Sequence, residues 1–194
     1  MTSTHDDATA TTLGILAGGR GTRLGGIDKA WLQRDGVPQV VRIAKRFAAE
    51  VDAILVSANG DPGRYAGHGL VAIADVATGA GPIGGLDALG RACRTPWLLT
   101  VPVDLVGVNE CLLQTLRAHA AGRGAFAVDD DGPQPLVALW NLAMLRADLP
   151  SAIAAGDHAV HRLQESLGMQ PVRLPGVRFG NLNTPADLHA AGMR

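Results

Sequence analysis

Apolar residues along the chain fall into short continuous runs separated by stretches with helical spacing. Leu13 to Ala17 (LGILA) is apolar throughout and ends in glycines, the pattern of a strand buried on both faces. From Val40 the apolar positions Val40, Val41, Ile43, Ala44, Phe47, Ala48 and Val51 lie on one face of a helix. Ala53 to Ser57 predicts a second buried strand, closed by the turn Asn59-Gly60-Asp61-Pro62. Val71 to Ala74 predicts a third. Gly81-Pro82 opens a helix carrying Ile83, Leu86, Leu89 and Cys93, with proline in the first turn, where its missing N–H costs nothing. Trp97 to Val101 predicts a fourth strand and Asn109 to Ala121 a helix.

Gly124 to Val128 and Leu136 to Trp140 predict two more strands, joined through Asp129-Asp130-Asp131-Gly132-Pro133, which reads as a solvated hairpin tip. A helical stretch from Asn141 to Leu167 should break near Pro150. Pro171 to Leu174 is the last predicted strand. Thr184 is a fitting N-cap and Pro185 a fitting first residue for a short C-terminal helix. Strands alternate with helices through mostly short links, which predicts helices on both faces of a parallel sheet. The expectation is a single-domain α/β fold, a Rossmann-like three-layer α/β/α sandwich with a mostly parallel sheet. It spans residues 13–194 behind a flexible polar N-terminal tail, residues 1–12.

Composition narrows the function. The 194 residues carry 17 Lys+Arg against 18 Asp+Glu, a net charge of −1, and 4% aromatics. That removes the basic footprint and the base-stacking platform of a general nucleic-acid binder. No run approaches the ~18 apolar residues of a membrane span, and Met1 to Thr12 lacks the cationic and apolar regions of a secretory signal. Cys93 and Cys111 form no metal-binding spacing and read as reduced core cysteines. The chain therefore reads as a soluble cytoplasmic protein with neither nucleic acid nor membrane as partner. The 25 glycines are in excess of the usual ~7% and cluster at the ends of the apolar runs.

The densest cluster follows the first strand. Gly18 to Asp28 reads GGRGTRLGGID and precedes Lys29. It fails the GxGxxG dinucleotide fingerprint, because Leu24 stands at the last glycine position. It also fails the GxxxxGK[ST] phosphate loop, because Ile27 and Asp28 follow Gly26. Glycines still let backbone N–H groups approach an anion closely, and Arg20, Arg23 and Lys29 add three cations. In open α/β sheets ligands bind beyond the carboxyl ends of the strands, where this loop should lie.

The wording Leu16-Ala17-Gly18-Gly19, then Arg23-Leu24-Gly25 and Asp28-Lys29, resembles the signature of the molybdenum cofactor guanylyltransferase family within the nucleotidyltransferases. Asp75 with Gly81-Pro82-Ile83-Gly84-Gly85, Pro102-Val103-Asp104, Gln134-Pro135-Leu136-Val137-Ala138-Leu139 and Asn181-Leu182-Asn183-Thr184-Pro185-Ala186-Asp187-Leu188 extend the resemblance from about Leu13 to Leu188. Val103 stands where that family usually has Cys, Leu105-Val106 where it has x-Pro, and Ala186 where Glu is frequent. The resemblance implies transfer of GMP from GTP to the terminal phosphate of molybdopterin, with release of pyrophosphate.

The resemblance also implies roles for single residues. Asp104 would be the metal ligand, for Mg²⁺. Arg23, Lys29 and Asp104 would carry the catalysis, the two cations neutralising the α-phosphate and the departing pyrophosphate. Leu16, Ala17, Gly18 and Gly19 would meet guanine or phosphates through the backbone, Asn59 the base or ribose, and Asp75 would accept hydrogen bonds from the nucleotide. Asn181 and Asn183 would line the pterin side. The residues themselves leave plainer roles open: Asp104 as a cap for a helix starting near Val108, Asp75 as a strand-end turn residue, and Asn181 and Asn183 as caps of the C-terminal helix. His158 and His161, three apart, read as an exposed helix face.

Protein partners implied by the resemblance are molybdenum cofactor biosynthesis proteins or recipient molybdoenzymes. Two other readings stay open. One is a nucleotidyltransferase with another donor or acceptor, such as CTP with the same pterin or a sugar phosphate. The other is a non-catalytic GTP-binding module for cofactor delivery. The nucleotide preference separates the first from GTP transfer, and pyrophosphate release separates the second.

Overall fold

The continuously apolar run at the start of the chain becomes β1 (Thr11–Leu16), buried at every residue. The computed structural model describes residues 7–18, 28–75, 80–108 and 110–193. A strand buried on both faces belongs in the middle of a parallel sheet, and β1 lies between β4 (Ala53–Ser57) and β6 (Trp97–Pro102), parallel to both. With β5 (Val71–Ile73), β8 (Gly124–Asp129), β9 (Gly132–Asn141) and β10 (Gln170–Arg173) it forms a sheet of order β10-β8-β9-β6-β1-β4-β5. Among these strands β9 runs antiparallel to both its neighbours, so the mostly parallel expectation holds. Two short ribbons complete the strands among the described residues. One pairs β2 (Gln33–Arg34) with β3 (Val37–Pro38); the other pairs β7 (Leu105–Val106) with β11 (Gly180–Asn181).

Helices cover both faces. On one, α1 (Gln39–Phe47) and α4 (Leu112–His119) bury Val40, Phe47, Leu112 and Leu116 against Leu13, Ile15 and Leu99. On the other, α3 (Pro82–Ala92), α5 (Leu142–Ala154) and α6 (Val160–Leu167) bury Ile83, Leu89, Leu145 and Leu163 against Leu98 and Trp140. The approach of α3 is close. A Cβ at Gly14 would stand 2.8 Å from Leu89 Cδ1, so glycine in mid-strand gives the helix its seat. A short α2 (Pro62–Ala66) links β4 to β5, and α7 (Pro185–Ala190) ends the fold.

The connections fix where a ligand fits. After β1 the chain moves outward through β4 to β5, then crosses back to place β6 on the other side of β1. The gap between β1 and β6 is therefore a topological switch point, the crevice that open α/β sheets use for ligands.

Several local expectations need correction. The residues assigned to a flexible tail include Thr11 and Thr12, which are already in β1 and buried. Asp52 Oδ2 accepts from Thr11 N at 2.7 Å, and the Thr12 and Thr95 hydroxyls pair at 2.8 Å, so these polar residues are satisfied inside. The helix expected to break at Pro150 continues to Ala154. Pro150 and Arg146, four residues before it, are both exposed, so water can serve the carbonyl that the proline leaves unpaired. The break comes at Gly156, whose φ of 68° is a glycine-favouring helix stop. His158 lies before α6 and His161 on it, both exposed. Cys93 is buried as expected, but Cys111 is exposed just ahead of α4.

The Asp129 to Asp131 tip is not uniformly solvated. Asp129 is 1% exposed. Its Oδ1 accepts from Asp131 N, Gly132 N and Gln134 Nε2 at 2.9, 3.1 and 3.2 Å, and its Oδ2 from Phe179 N at 2.8 Å. Burial pushes its pKa up, but the donors from Phe179, Gln134, Asp131 and Gly132 together hold it below the ordinary carboxylate value. This carboxylate closes the β8–β9 turn and pins the segment that leads into β11.

A folded-state pKa below the unfolded one stabilises the fold above the unfolded value of about 3.9, and the contribution is lost as pH falls through the folded value. Asp129→Asn turns an amide N–H toward the Phe179 N–H and should destabilise by about 1–3 kcal/mol at pH 7. Denaturant unfolding at pH 7 and at pH 2.5 checks this. The gap between wild type and variant should shrink at the lower pH, and an equal gap at both would refute the assignment.

Candidate active site

The parallel strands β1, β4, β5 and β6 each hand the same edge of the sheet a candidate site residue just past the end of the strand. Gly18 follows β1, Asn59 follows β4, Asp75 follows β5 and Asp104 follows β6. The root of the glycine segment is held by sheet-like bonds that outlast the strand: Ala17 N donates to Ser57 O at 2.9 Å, and Val103 N to Leu16 O at 3.0 Å. The Leu16 carbonyl and the Ala17 N–H are thus engaged in the fold itself. Gly18 comes next, and a Cβ there would lie 3.6 Å from Asp75 Oδ2. Gly19, Arg20, Gly21, Arg23, Leu24, Gly25 and Gly26 lie outside the described residues.

One polar group is built around Asp75. Its Oδ1 accepts from Ser57 Oγ at 2.8 Å and its Oδ2 from Asn59 Nδ2 at 3.0 Å, while Asp75 N donates to Asn59 Oδ1 at 2.9 Å. Asn59 and Asp75 are therefore partners, more than the loose turn residue that Asp75 alone could have been. Ser57 was missed from sequence because a serine ending an apolar run carries no signal of its own.

The second group joins segments far apart in the chain. Lys29 Nζ donates to Asp104 Oδ2 at 2.9 Å and to Asn183 Oδ1 at 2.7 Å. Lys29 begins a short 3₁₀ turn, Lys29–Trp31, capped by Asp28, whose Oδ1 accepts from Ala30 N at 3.0 Å. Ala30 is buried, and Trp31 packs against Tyr65 and beneath the Arg64 guanidinium, 3.9 Å from its ring centre. These contacts hold the stem from which Lys29 reaches out. Burial raises the Tyr65 hydroxyl pKa, and the Asp28 charge raises it further, so this phenol stays protonated.

Asp104 does not cap a helix, since α4 starts at Leu112. The two residues after it form β7, which pairs Leu105 with Asn181 and Val106 with Gly180. Leu182 N donates to Asp104 O at 3.0 Å, and the buried Gln39 side chain donates to Leu105 O at 2.9 Å. This ribbon brings Asn183 to Lys29. A Cβ at Gly180 would stand 2.5 Å from Val106 Cγ2, so the ribbon needs glycine there.

Neither asparagine caps α7. Thr184 does, in a reciprocal box: its Oγ1 accepts from Asp187 N at 3.1 Å, and Asp187 Oδ2 accepts from Thr184 N at 2.7 Å and from Asn183 N at 3.1 Å. The Thr184 hydroxyl and N–H, then the Asn183 N–H and the Lys29 charge, hold the Asp187 carboxyl below its ordinary pKa. Asn181 is exposed and pairs in the ribbon with Leu105, the residue after Asp104.

An ammonium 2.9 Å from a carboxylate, at the carboxyl edge beside a switch point, is suited to polyanion chemistry. Residues 13–172 match the model of the MobA-like NTP transferase domain. The chain belongs to the MobA-like NTP transferase family. A molybdenum cofactor guanylyltransferase of Yersinia pseudotuberculosis is 33% identical over 177 residues, 89% of this chain and 90% of that protein. Among solved structures, a molybdopterin-guanine dinucleotide biosynthesis protein A from Archaeoglobus fulgidus is 21% identical with a TM-score of 0.72, over 93% of this chain and 96% of that one. A nucleotidyl transferase from Methanothermobacter thermautotroptrophicus is 19% identical with a TM-score of 0.75, over 94% and 96%. These structures share the fold.

In this member of the family, Val103 places its N–H on Leu16, Leu105-Val106 form the ribbon strand, and Ala186 is an exposed first-turn residue that the cap does not use. Thr184→Ala removes the cap and should cost about 1 kcal/mol, a fall in Tm of roughly 2–4 °C for a chain of this size. Thermal unfolding at neutral pH checks it, and an unchanged Tm would show the box to be idle.

Proposed function

We propose that this protein transfers GMP from GTP to the terminal phosphate of molybdopterin, releasing pyrophosphate and forming the guanine dinucleotide of the molybdenum cofactor. The observation that carries the reading is the Lys29–Asp104 pair at the switch-point edge, in a chain one-third identical over nearly its whole length to proteins named for this transfer.

The chemistry asks little of a side chain beyond position and charge. A terminal phosphate oxygen of molybdopterin attacks the α-phosphorus of GTP in line, a new P–O bond forms, and the bond to the β-phosphate oxygen breaks. The attacking phosphate is already ionised near neutral pH, so no general base is required. Lys29 reaches the transferring and departing phosphates from its capped turn, and Arg23, from the same glycine-rich segment of the sequence, joins it. Gly18, and Gly19 after it, bring backbone toward the phosphates, while Asp75 and Asn59 accept and donate hydrogen bonds at the nucleoside. Asn181 and Asn183 line the pterin side of the crevice.

The donor set fits Mg²⁺. This ion is commonly held by one or two carboxylates, waters and phosphate oxygens, and Asp104 already faces a cation at 2.9 Å. Among the described residues no cluster of three acidic, His or Cys side chains offers a fuller cage. Bound at Asp104, Mg²⁺ supplies further neutralisation of phosphate charge. The setting is the cytoplasm, with molybdenum cofactor biosynthesis proteins or recipient molybdoenzymes as protein partners.

Pyrophosphate release measured with GTP, CTP and ATP, each with and without molybdopterin, tests the reading. Release should require both GTP and molybdopterin. Asp104→Ala should lower it on the order of 10²-fold or more with Mg²⁺ present. Preferred use of CTP would replace the donor, and GTP binding without release would make this a binding module.

A further inference from the structure

Ser57 is the last residue of β4, paired with Leu16 of β1 on one side and Ile73 of β5 on the other. It is fully buried, at 0% exposure. A hydroxyl taken from water costs free energy unless it finds a partner, and Ser57 Oγ finds Asp75 Oδ1 at 2.8 Å. The helix above makes room for this bond. A Cβ at Gly85, in the first turns of α3, would lie 2.6 Å from Ser57 Oγ and 2.9 Å from Leu16 Cδ2. Glycine at 85 therefore allows a hydroxyl between sheet and helix, and that hydroxyl meets the carboxylate beyond the strand end.

The other carboxylate oxygen is held by Asn59 Nδ2 at 3.0 Å, and the Asp75 backbone N–H by Asn59 Oδ1 at 2.9 Å. Asp75 is thus fixed at both oxygens, once from the interior and once from the surface. Each carboxylate oxygen has about two lone-pair sites, so each still has capacity for a donor from a ligand. Ser57 also fixes Gly18 indirectly. Its carbonyl accepts from Ala17 N at 2.9 Å, and Gly18 packs near Asp75 Oδ2. A single buried residue sets both the plane of the carboxylate and the root of the glycine segment beside it.

We propose that Ser57 is a positioning residue for nucleotide recognition, acting through Asp75 rather than on the ligand. The inference rests on the reading of Asp75 as a nucleotide contact. A carboxylate that must accept donors in a set plane loses affinity when it is free to rotate, and locking it before binding removes that cost. The bond between Ser57 and Asp75 is to a charged group and partly buried, the class of hydrogen bond with the largest net effect.

The test is a double-mutant cycle of Ser57→Ala, Asp75→Ala and the pair, read by equilibrium GTP binding and by the GTP KM and kcat of pyrophosphate release. Ser57→Ala should weaken GTP binding and raise KM about ten-fold or more, with kcat within about two-fold of wild type. On the Asp75→Ala background, Ser57→Ala should add nothing, because its effect passes through the missing carboxylate. Unchanged affinity in Ser57→Ala would overturn the inference, as would additive effects in the pair. A buried hydroxyl of purely structural importance would lower Tm without this non-additivity. Should Ser57→Ala melt too early to assay, Ser57→Cys keeps the shape with a weak donor and must give the same cycle. Wild type that binds no GTP would overturn the functional reading and this inference together; wild type that binds GTP beside an unaffected Ser57→Ala overturns the inference alone.

Discussion

The Lys29 ammonium between Asp104 and Asn183 is the contact on which the crevice depends. Its acceptors lie 75 and 154 positions away in sequence. Side chains of opposite charge 2.9 Å apart and about one-fifth to one-quarter exposed attract more strongly than a pair in bulk water. The gain still depends on supports that keep both ends in place. The Asp28 cap and the Trp31 packing hold Lys29, the end of β6 holds Asp104, and the β7–β11 ribbon with the Thr184–Asp187 box holds Asn183. Residues 180–187 are in this sense part of the same cluster, although Lys29 and Asp104 lie far before them in the chain.

Glycine serves this architecture in two distinct ways. At Gly14, Gly85 and Gly180 it permits close approach, of α3 to β1, of α3 to Ser57, and of the two ribbon strands. At Gly156 it permits the positive φ that ends α5. The near-neutral net charge is equally a local matter. Cations and carboxylates balance over the chain, yet Lys29 and Asp104 are brought together at one edge of the sheet.

The outline of the fold was legible in the residues because buried parallel strands are continuously apolar and helices show their own period. β1, β6 and the Thr184-Pro185 helix start follow the local rules, whereas β4, though apolar, is exposed at Ala53 and half-buried at Ile54 and Leu55. Errors arose where tertiary contacts override a local rule. Asp129 sits in a run of three acids that looks solvated, but the chain returns at Phe179 with a buried N–H donor for it. Pro150 should break a helix, yet its exposed side leaves the lost carbonyl to water. Thr11 and Thr12 look like tail, yet Asp52 and Thr95 satisfy them inside.

By itself the sequence determined the α/β class, the edge of the sheet at which polar residues gather, the place of Asp75 and Asp104 just beyond strands, and that of Lys29 at the end of the glycine-rich segment after β1. These follow from periodicity and from motifs that are contiguous along the chain. Tertiary structure alone decided which of them touch: Lys29 with Asp104 and Asn183, and Asp75 with Ser57 and Asn59. The reason is physical. Periodicity records whether a position faces core or solvent, whereas a hydrogen bond at 2.7–3.0 Å depends on strand order and crossover, and these are set by how the layers pack.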